Sequence, residues 1–162
     1  MIEGKAWTFG DNINTDIISP PQYMELGVAE ASRFAMSAVD PAFAGSVRCG
    51  DIMVAGSNFG SGSSRETSPL ALKHLGVGAI LAKFFARIFY RNAINQGLPV
   101  LECPDTERIA AGDQLKIDIG KGLVVNLTKG ESYLCNPIPP HIQALLDEGG
   151  LVPYLKKNLR EA

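Results

Sequence analysis

Cysteine and histidine are scarce in this sequence, and this scarcity restricts the metal sites that the chain can build alone. The three cysteines, Cys49, Cys103 and Cys135, lie far apart, and the two histidines are His74 and His141. Without a C-x-x-C pair or a histidine-rich run, a self-contained zinc or iron–sulfur site is not expected. We expect three reduced thiols in a cytosolic protein.

Long apolar runs and charge of one sign are also missing. Charged residues make up 20% of the sequence and the formal net charge is −2, with no cluster of Lys or Arg; a nucleic-acid partner is therefore not expected. No segment approaches the length of a membrane span. The first residues, Met1 to Lys5, carry charges and lack the apolar core of a signal peptide, so we expect a cytoplasmic location. The length of 162 residues fits one domain, predicted over 1–162.

Alternating strand and helix patterns in the centre predict an α/β fold. Apolar runs at 52–55, 79–82 and 99–102 are typical of buried parallel strands. Helices are predicted between them, from near Ser64 to Leu75 and over 86–96, each followed by a glycine. This order implies a parallel βαβαβ core.

The flanking segments add weaker elements. Before the core, we predict a strand over 4–9, a loop at 14–21 and a weak helix over 28–36; two prolines in the loop forbid a helix interior. After the core, we predict a hairpin of 114–119 with 123–127. A helical tail from Pro140 follows, and it is interrupted at Gly149 and Gly150.

The most informative segment is a loop of small residues at 56–66, between a predicted strand and a predicted helix. Glycines let a backbone approach a ligand closely, and the N–H groups of a helix start favour an anion. Ser63 and Ser64 add hydroxyls, and Arg65 adds a planar fork suited to a carboxylate. The loop is not a phosphate-binding P-loop, because no Gly-Lys-Ser/Thr follows. A carboxylate or phosphate site is one interpretation; a helix cap at Ser64 followed by a solvated first turn is the other.

This loop resembles the G-x-G-S-S-R-E loop in the swivel domain of aconitases and isopropylmalate dehydratases. Two other segments resemble the same family in the same order. Residues 11–18 are similar to its D-N-x-x-T-D-x-I segment, and residues 79–99 are similar to its A-I-x-A-K-S-F-A-R-I-F-x-x-N…G-L-P stretch. Phe84 stands where the family commonly has Ser. Together the three segments span most of residues 9–103.

The resemblance implies an aconitase-type swivelling β/β/α domain, with a mixed sheet or barrel around the parallel core. It also implies a small subunit of a hydro-lyase whose large subunit carries a [4Fe–4S] cluster. We therefore expect no cofactor on this chain, a large cluster-bearing partner, a small hydroxy-dicarboxylate substrate, and neither nucleic acid nor membrane as a partner. The free chain is a candidate for self-association.

The resemblance assigns roles position by position. Ser63 matches the serine whose alkoxide acts as the catalytic base, and Ser64 and Arg65 match substrate carboxylate binders. Asp16 matches an acid of the catalytic site with an orienting role, and Thr15 stands beside it as a substrate-binding or supporting residue. A serine at its free pKa is a poor base, so cations, a helix N-terminus and desolvation would have to stabilise the alkoxide.

Substrate choice in this family is attributed to a short loop, which here is Tyr23-Met24-Glu25-Leu26. Met24 and Leu26 suit an apolar substituent, and Glu25 would repel a third carboxylate. The resemblance therefore favours interconversion of 2-isopropylmalate and 3-isopropylmalate. The alternatives are a homoaconitase, a dimethylmalate or other alkylmalate dehydratase, and a non-catalytic anion-binding swivel module. Glu25 could equally be a solvated loop residue without a selective role.

Overall fold

A computed structural model of the chain describes residues 1–62 and 66–161, the last two by their backbone only. In this part of the chain seven strands form one sheet, in the order β4-β3-β2-β1-β5-β6-β7. The strands are β1 Ile2–Thr8, β2 Ile52–Val54, β3 Ala79–Ala82, β4 Val100–Glu102, β5 Gln114–Asp118, β6 Leu123–Asn126 and β7 Glu131–Leu134. Strands β1 to β4 are parallel, whereas β5, β6 and β7 are antiparallel to their neighbours.

Helices surround the parallel half of this sheet. They are α1 Thr15–Ile18, α2 Val28–Ala31, α3 Phe43–Ser46, α4 Thr67–His74, α5 Arg87–Asn95, α6 Pro140–Asp147 and α7 Leu151–Glu161. Helices α4 and α5 connect β2 to β3 and β3 to β4, which confirms the predicted parallel βαβαβ core.

The sheet curls, and its two faces bury two separate hydrophobic clusters. In β2, Met53 points into a cluster with helix residues such as Leu72 and Phe89. Ile52 and Val54 point the other way, into a cluster built largely from strands of the same sheet. Because both faces of β2 are buried, its continuous apolar sequence is the pattern expected of a covered parallel strand. The mixed, curled sheet is the half-barrel form of the predicted fold.

The structure corrects three details of the sequence predictions. The helix predicted from near Ser64 begins at Thr67. The predicted loop at 14–21 contains the single turn α1, because the side chain of Asn14 caps it by accepting a 2.9 Å hydrogen bond from the N–H of Ile17, and both prolines lie beyond the turn. Strand β7 was not predicted; it is defined by its pairing with β6, including Tyr133 opposite Val124.

Candidate active site

Three loops meet at the carboxyl ends of the parallel strands. Strands β1, β2 and β3 are parallel, so their carboxyl ends lie together, and the segments 9–16, 55–66 and 83–86 follow these ends. Ligands of open parallel sheets bind at this edge. The three segments that carry the family resemblance are therefore neighbours in space.

Backbone hydrogen bonds join the first two loops along their length. The N–H of Asn12 donates to the carbonyl of Ser57 at 2.9 Å, and the N–H of Gly60 donates to the carbonyl of Ile13 at 2.7 Å. The N–H of Thr15 donates to the carbonyl of Ser61 at 2.8 Å. These bonds hold α1 beside the end of the glycine–serine loop.

Polar side chains at the loop tips add to this connection. Asp11 Oδ1 accepts a 2.8 Å hydrogen bond from the N–H of Ser57. Asn58 Nδ2 donates to Asn12 Oδ1 at 3.1 Å. Both asparagines have a left-handed backbone, with φ of 58° at Asn12 and 60° at Asn58, a conformation that Asn tolerates better than most residues.

The third loop anchors the glycine–serine loop to the core. The N–H of Phe59 donates to the carbonyl of Phe84 at 3.0 Å, and the N–H of Ala86 donates to the carbonyl of Phe59 at 2.9 Å. The ring of Phe59 is buried edge-on against Phe85 and Phe89, with centroids 5.8 and 5.3 Å away. This packing fixes one end of the glycine–serine loop in the hydrophobic core.

Two glycines in this loop meet both a conformational and a steric requirement. Gly60 and Gly62 have φ of 85° and 113°. A Cβ at Gly60 would overlap the ring of Phe89, and a Cβ at Gly62 would lie 2.9 Å from Thr15 Oγ1. The close approach of this loop to α5 at Gly60 and to α1 at Gly62 therefore requires glycine.

The three residues predicted to be the base and the carboxylate binders, Ser63, Ser64 and Arg65, lie outside the described residues. The structure describes their neighbours on both sides, Gly62 and Glu66.

The other two predicted site residues, Asp16 and Thr15, lie together in α1. Asp16 is exposed, whereas Thr15 is only 2% exposed. Because Thr15 is buried against Gly62, its position favours a supporting role over direct contact with a substrate.

Helix α4 begins directly after the glycine–serine loop. Its first turn contains Pro69, which lacks an N–H, and Ser68, whose buried Oγ has no hydrogen-bond partner among the described residues. Within the described residues, the side chain of Glu66 at the N-cap makes no capping hydrogen bond. The remaining N–H groups and the positive end of the helix dipole are suited to stabilise a negative charge nearby.

The predicted specificity loop lines a small pocket. Tyr23, Met24 and Leu26 border a cavity of about 30 Å³, which is room for about two water molecules. The ring of Tyr23 stacks on Phe34 at a centroid distance of 3.8 Å. Glu25 is exposed and is not among the residues that line the pocket.

Six further residues, which were not predicted, complete this pocket, and two of them, Ser19 and Pro20, follow α1. Val28 and Ala31 come from α2, and Thr67 and Ala71 come from α4, the helix that follows the glycine–serine loop. No sequence pattern predicts that α2 and α4 pack together, because that contact joins segments far apart in the chain. The pocket thus connects the specificity loop with the start of α4.

A second cavity, of about 260 Å³, lies at the carboxyl ends of β1 and β2. Lys83 borders it and forms a 2.7 Å ion pair with Glu107, whose hydrogen bond raises the pKa of the lysine.

Within the described residues, no group of three or more His, Cys, Asp or Glu side chains is placed to hold a metal ion. Cys49 is exposed, and Cys103 and Cys135 are buried. No helix in the described part of the chain is long and apolar enough to cross a membrane.

Comparison with known proteins agrees with this geometry. The family model of the aconitase C-terminal domain matches residues 12–106. The chain is 50% identical over 161 residues to the 3-isopropylmalate dehydratase small subunit of Methanosarcina mazei, covering 99% of both sequences. It is 45% identical over 164 residues to the isopropylmalate/citramalate isomerase small subunit of Methanocaldococcus jannaschii, covering 100% of this chain and 98% of the relative.

A solved structure shows the same fold. The crystal structure of 3-isopropylmalate dehydratase (leuD) from Methanocaldococcus jannaschii matches with a TM-score of 0.92 and 42% identity, over 97% of this chain and 94% of that chain. The structural match therefore covers nearly the whole chain. The chain belongs to the aconitase C-terminal domain family, within the group of 3-isopropylmalate dehydratase small subunits.

Proposed function

We propose that this chain is the small subunit of a two-chain hydro-lyase that interconverts 2-isopropylmalate and 3-isopropylmalate through dehydration and rehydration. The observation that carries the proposal is the meeting of the three loops at one sheet edge, in a chain similar over its full length to small subunits of this name. The continuous sheet supports a single swivel domain over 1–162.

Ser63 is the proposed base. It takes up the proton alpha to a carboxylate while the neighbouring carbon loses its hydroxyl, and this proton and hydroxide together make up the one water released. Rehydration with the opposite regiochemistry gives the isomer. Ser64 and Arg65 are the proposed binders of substrate carboxylates, since a guanidinium can hold a carboxylate through two parallel hydrogen bonds. The start of α4, three residues after Ser64, supports this assignment because its dipole favours negative charge.

Asp16 is proposed to orient the reacting groups. Its helix turn is fixed by the cap at Asn14 and by the hydrogen bond from Thr15 to Ser61. Because the backbone of this turn is held in place, its carboxylate can hold a proton donor or a water molecule in a fixed position. Thr15 supports this turn through the close approach of its hydroxyl to Gly62.

The pocket beside α4 is the proposed subsite for the alkyl substituent. Met24 and Leu26 are 50% and 40% exposed, and apolar surface of this kind gains free energy when an alkyl group covers it. The cavity of about 30 Å³ admits part of an isopropyl group, and the rest would lie against Met24. The loop Tyr23-Met24-Glu25-Leu26 is thus a specificity loop in this proposal, with Glu25 at its exposed tip.

The proposal requires a larger partner chain. This chain's own cysteines do not fit an iron–sulfur cluster, because Cys49 is exposed and distant in sequence from the buried pair Cys103 and Cys135. The expected [4Fe–4S] cluster is assigned to the large subunit, where it would supply a Lewis acid for the substrate's hydroxyl and carboxylate. The closing of this chain over that site would exclude water and bring Ser63 to the substrate. A cytoplasmic location remains part of the proposal.

A substrate profile tests the proposal. The chain is co-expressed anaerobically with the large subunit of the same genome, and hydration is assayed on isopropylmaleate, citraconate, dimethylmaleate, cis-aconitate and cis-homoaconitate. We expect the highest kcat/KM on isopropylmaleate. Preference for cis-homoaconitate would instead support a homoaconitase, and a cluster-loaded complex inactive on all five would support the non-catalytic module.

A further inference from the structure

Two cysteines that are far apart in sequence become neighbours where the curled sheet closes. Cys103 follows β4 and Cys135 follows β7, the two edge strands of the sheet. Both side chains are buried, with 0% and 7% of their surface exposed, in the same hydrophobic cluster. Neither takes part in the proposed catalytic chemistry.

One backbone hydrogen bond joins the segments that follow the two edge strands: the N–H of Asn136 donates to the carbonyl of Glu102 at 2.9 Å. The alternation of strand directions makes β7 run opposite to β4. Cys135 precedes Asn136 and Cys103 follows Glu102, so an antiparallel register continued from this bond places the two cysteines opposite each other.

The backbone N–H groups of the two cysteines do not donate to each other's carbonyls. The N–H of Cys103 donates to Ala82 in β3, and the N–H of Cys135 donates to Gly122 beside β6. Opposed residues at such positions have Cα atoms about 4.5 Å apart. Disulfides need a Cα separation of about 4.4–6.8 Å, a range that includes this typical separation.

The two thiols share a side-chain hydrogen bond, which lowers the pKa of Cys103 and raises the pKa of Cys135. The species that attacks a disulfide is a thiolate, and the lowered pKa makes Cys103 the candidate for that role.

We propose that Cys103 and Cys135 are a modification site: a cross-strand thiol pair that a low-molecular-weight disulfide oxidises to an intrachain disulfide, closing the half-barrel covalently. The Cys103 thiolate attacks glutathione disulfide, whose S–S bond breaks to release one glutathione thiol and leave a mixed disulfide. Cys135 loses its proton and attacks the Cys103 sulfur, which releases the second glutathione thiol. Two electrons pass from the protein to glutathione disulfide, and both protons remain on the released thiols.

The disulfide would stiffen one loop of the candidate site. Glu102 lies next to Cys103, and its Oε2 accepts a 3.3 Å hydrogen bond from the N–H of Phe85 in the loop at 83–86. This inference does not depend on the proposed function.

The test folds the reduced full-length chain in a glutathione redox buffer, so that burial of the thiols does not limit access. We expect the folded product to be lighter by two hydrogen atoms and to yield, without reduction, a peptide that joins Cys103 to Cys135. Ellman's reagent should then find one thiol after unfolding, against three in the reduced chain. The constraint should raise Tm by roughly 10 °C.

Cys49→Ala is the matched control and should retain the disulfide, the mass change and the rise in Tm. Cys135→Ala should lose all three. Three titratable thiols after unfolding of the redox-equilibrated chain, a stable glutathione adduct on Cys103 or Cys135, or a disulfide to Cys49 would each overturn the inference. Because the mass and peptide measurements use the unsubstituted chain, they remain decisive if Cys135→Ala fails to fold.

Discussion

The backbone N–H of Thr15 donates a 2.8 Å hydrogen bond to the carbonyl of Ser61, and this bond joins two loops that are distant in sequence. Immediately beyond it, Gly62 approaches Thr15 so closely that a Cβ would lie 2.9 Å from the threonine hydroxyl. The bond aligns the turn that carries Asp16 with the segment leading to Ser63. The candidate site is therefore built on contacts between loops, each of which follows a parallel strand.

Replacement of the proposed base gives the first prediction. Ser63→Ala should lower kcat of the reconstituted complex by at least about 10²-fold, because general-base catalysis contributes about 10²–10⁴-fold. Gel filtration should show that the subunits still assemble. Ser57→Ala is the control, because Ser57 is exposed on the same loop and contributes its backbone to the loop contacts. The kcat of the complex with this variant should stay within twofold of the value for the unsubstituted complex. A nearly normal rate for Ser63→Ala would remove the serine from the catalytic role.

Substitution of the close-contact glycine gives the second prediction. Gly62→Ala should lower the free energy of unfolding by about 1–3 kcal/mol, because φ is 113° and the new Cβ would crowd Thr15. It should also lower kcat by displacing Asp16 relative to Ser63. Urea denaturation and steady-state kinetics measure both effects. Gly45→Ala, in α3 with no atom near its Cβ, should leave both unchanged or slightly raise stability; equal effects in the two variants would contradict the account.

The arrangement of the loops around this site could be predicted from the sequence. The apolar runs at 52–55 and 79–82 indicate parallel strands, and the segments after them end on one sheet edge as a consequence. The resemblance of three segments to one family then assigns Asp16 and Ser63 to a common site. Local patterns were sufficient here because the parallel core sets which loops are neighbours.

Other features depend on contacts that no local pattern encodes. The pocket walls Ala31 and Thr67 belong to separate helices, and their proximity follows from packing. Cys103 and Cys135 are also far apart in the sequence, whereas the curling of the sheet places them in the same hydrophobic cluster. Strand β7 has no clear alternation and was missed, because its position depends on β6.

The alkyl pocket gives the third prediction. Met24→Ala should lower kcat/KM for isopropylmaleate by about tenfold, since losing contact with a methylene or two costs about 1–3 kcal/mol in an apolar subsite. The smaller methyl group of citraconate should be affected less, so the ratio of the two kcat/KM values is the informative measurement. Leu127→Ala, similarly exposed on the antiparallel side of the sheet, is the control and should not change this ratio. Equal losses for both substrates would remove Met24 from the subsite.

A buried carboxylate in the antiparallel half gives the fourth prediction. Asp113 accepts hydrogen bonds from Asn126 Nδ2 at 2.8 Å and from the N–H of Ala110 at 2.9 Å, and together with Lys129 they lower its pKa. Because the pKa of this carboxyl is lower in the folded than in the unfolded chain, its ionised form stabilises the fold. This stabilisation is fully present at pH values above the unfolded-state pKa of about 3.9, and it is lost as the pH falls through the folded-state pKa.

Asp113→Asn should therefore reduce the urea midpoint at pH 7 and narrow the difference between the midpoints at pH 7 and pH 3. Asp147→Asn, at an exposed carboxyl, should leave this difference as it is in the unsubstituted chain. An unchanged pH dependence in Asp113→Asn would show that the hydrogen bonds to this carboxylate do not contribute to acid stability.

The central claim is that turnover needs this chain together with a larger cluster-bearing partner. The most direct measurement is the rate of isopropylmaleate hydration under anaerobic conditions for the purified chain, for the cluster-loaded large subunit, and for their mixture. The account predicts hydration by the mixture alone, saturating as this chain is titrated into a fixed amount of the partner. Hydration by either chain alone at the rate of the mixture would contradict this claim. The absence of hydration by a mixture that is shown to assemble and to retain its cluster would contradict it as well.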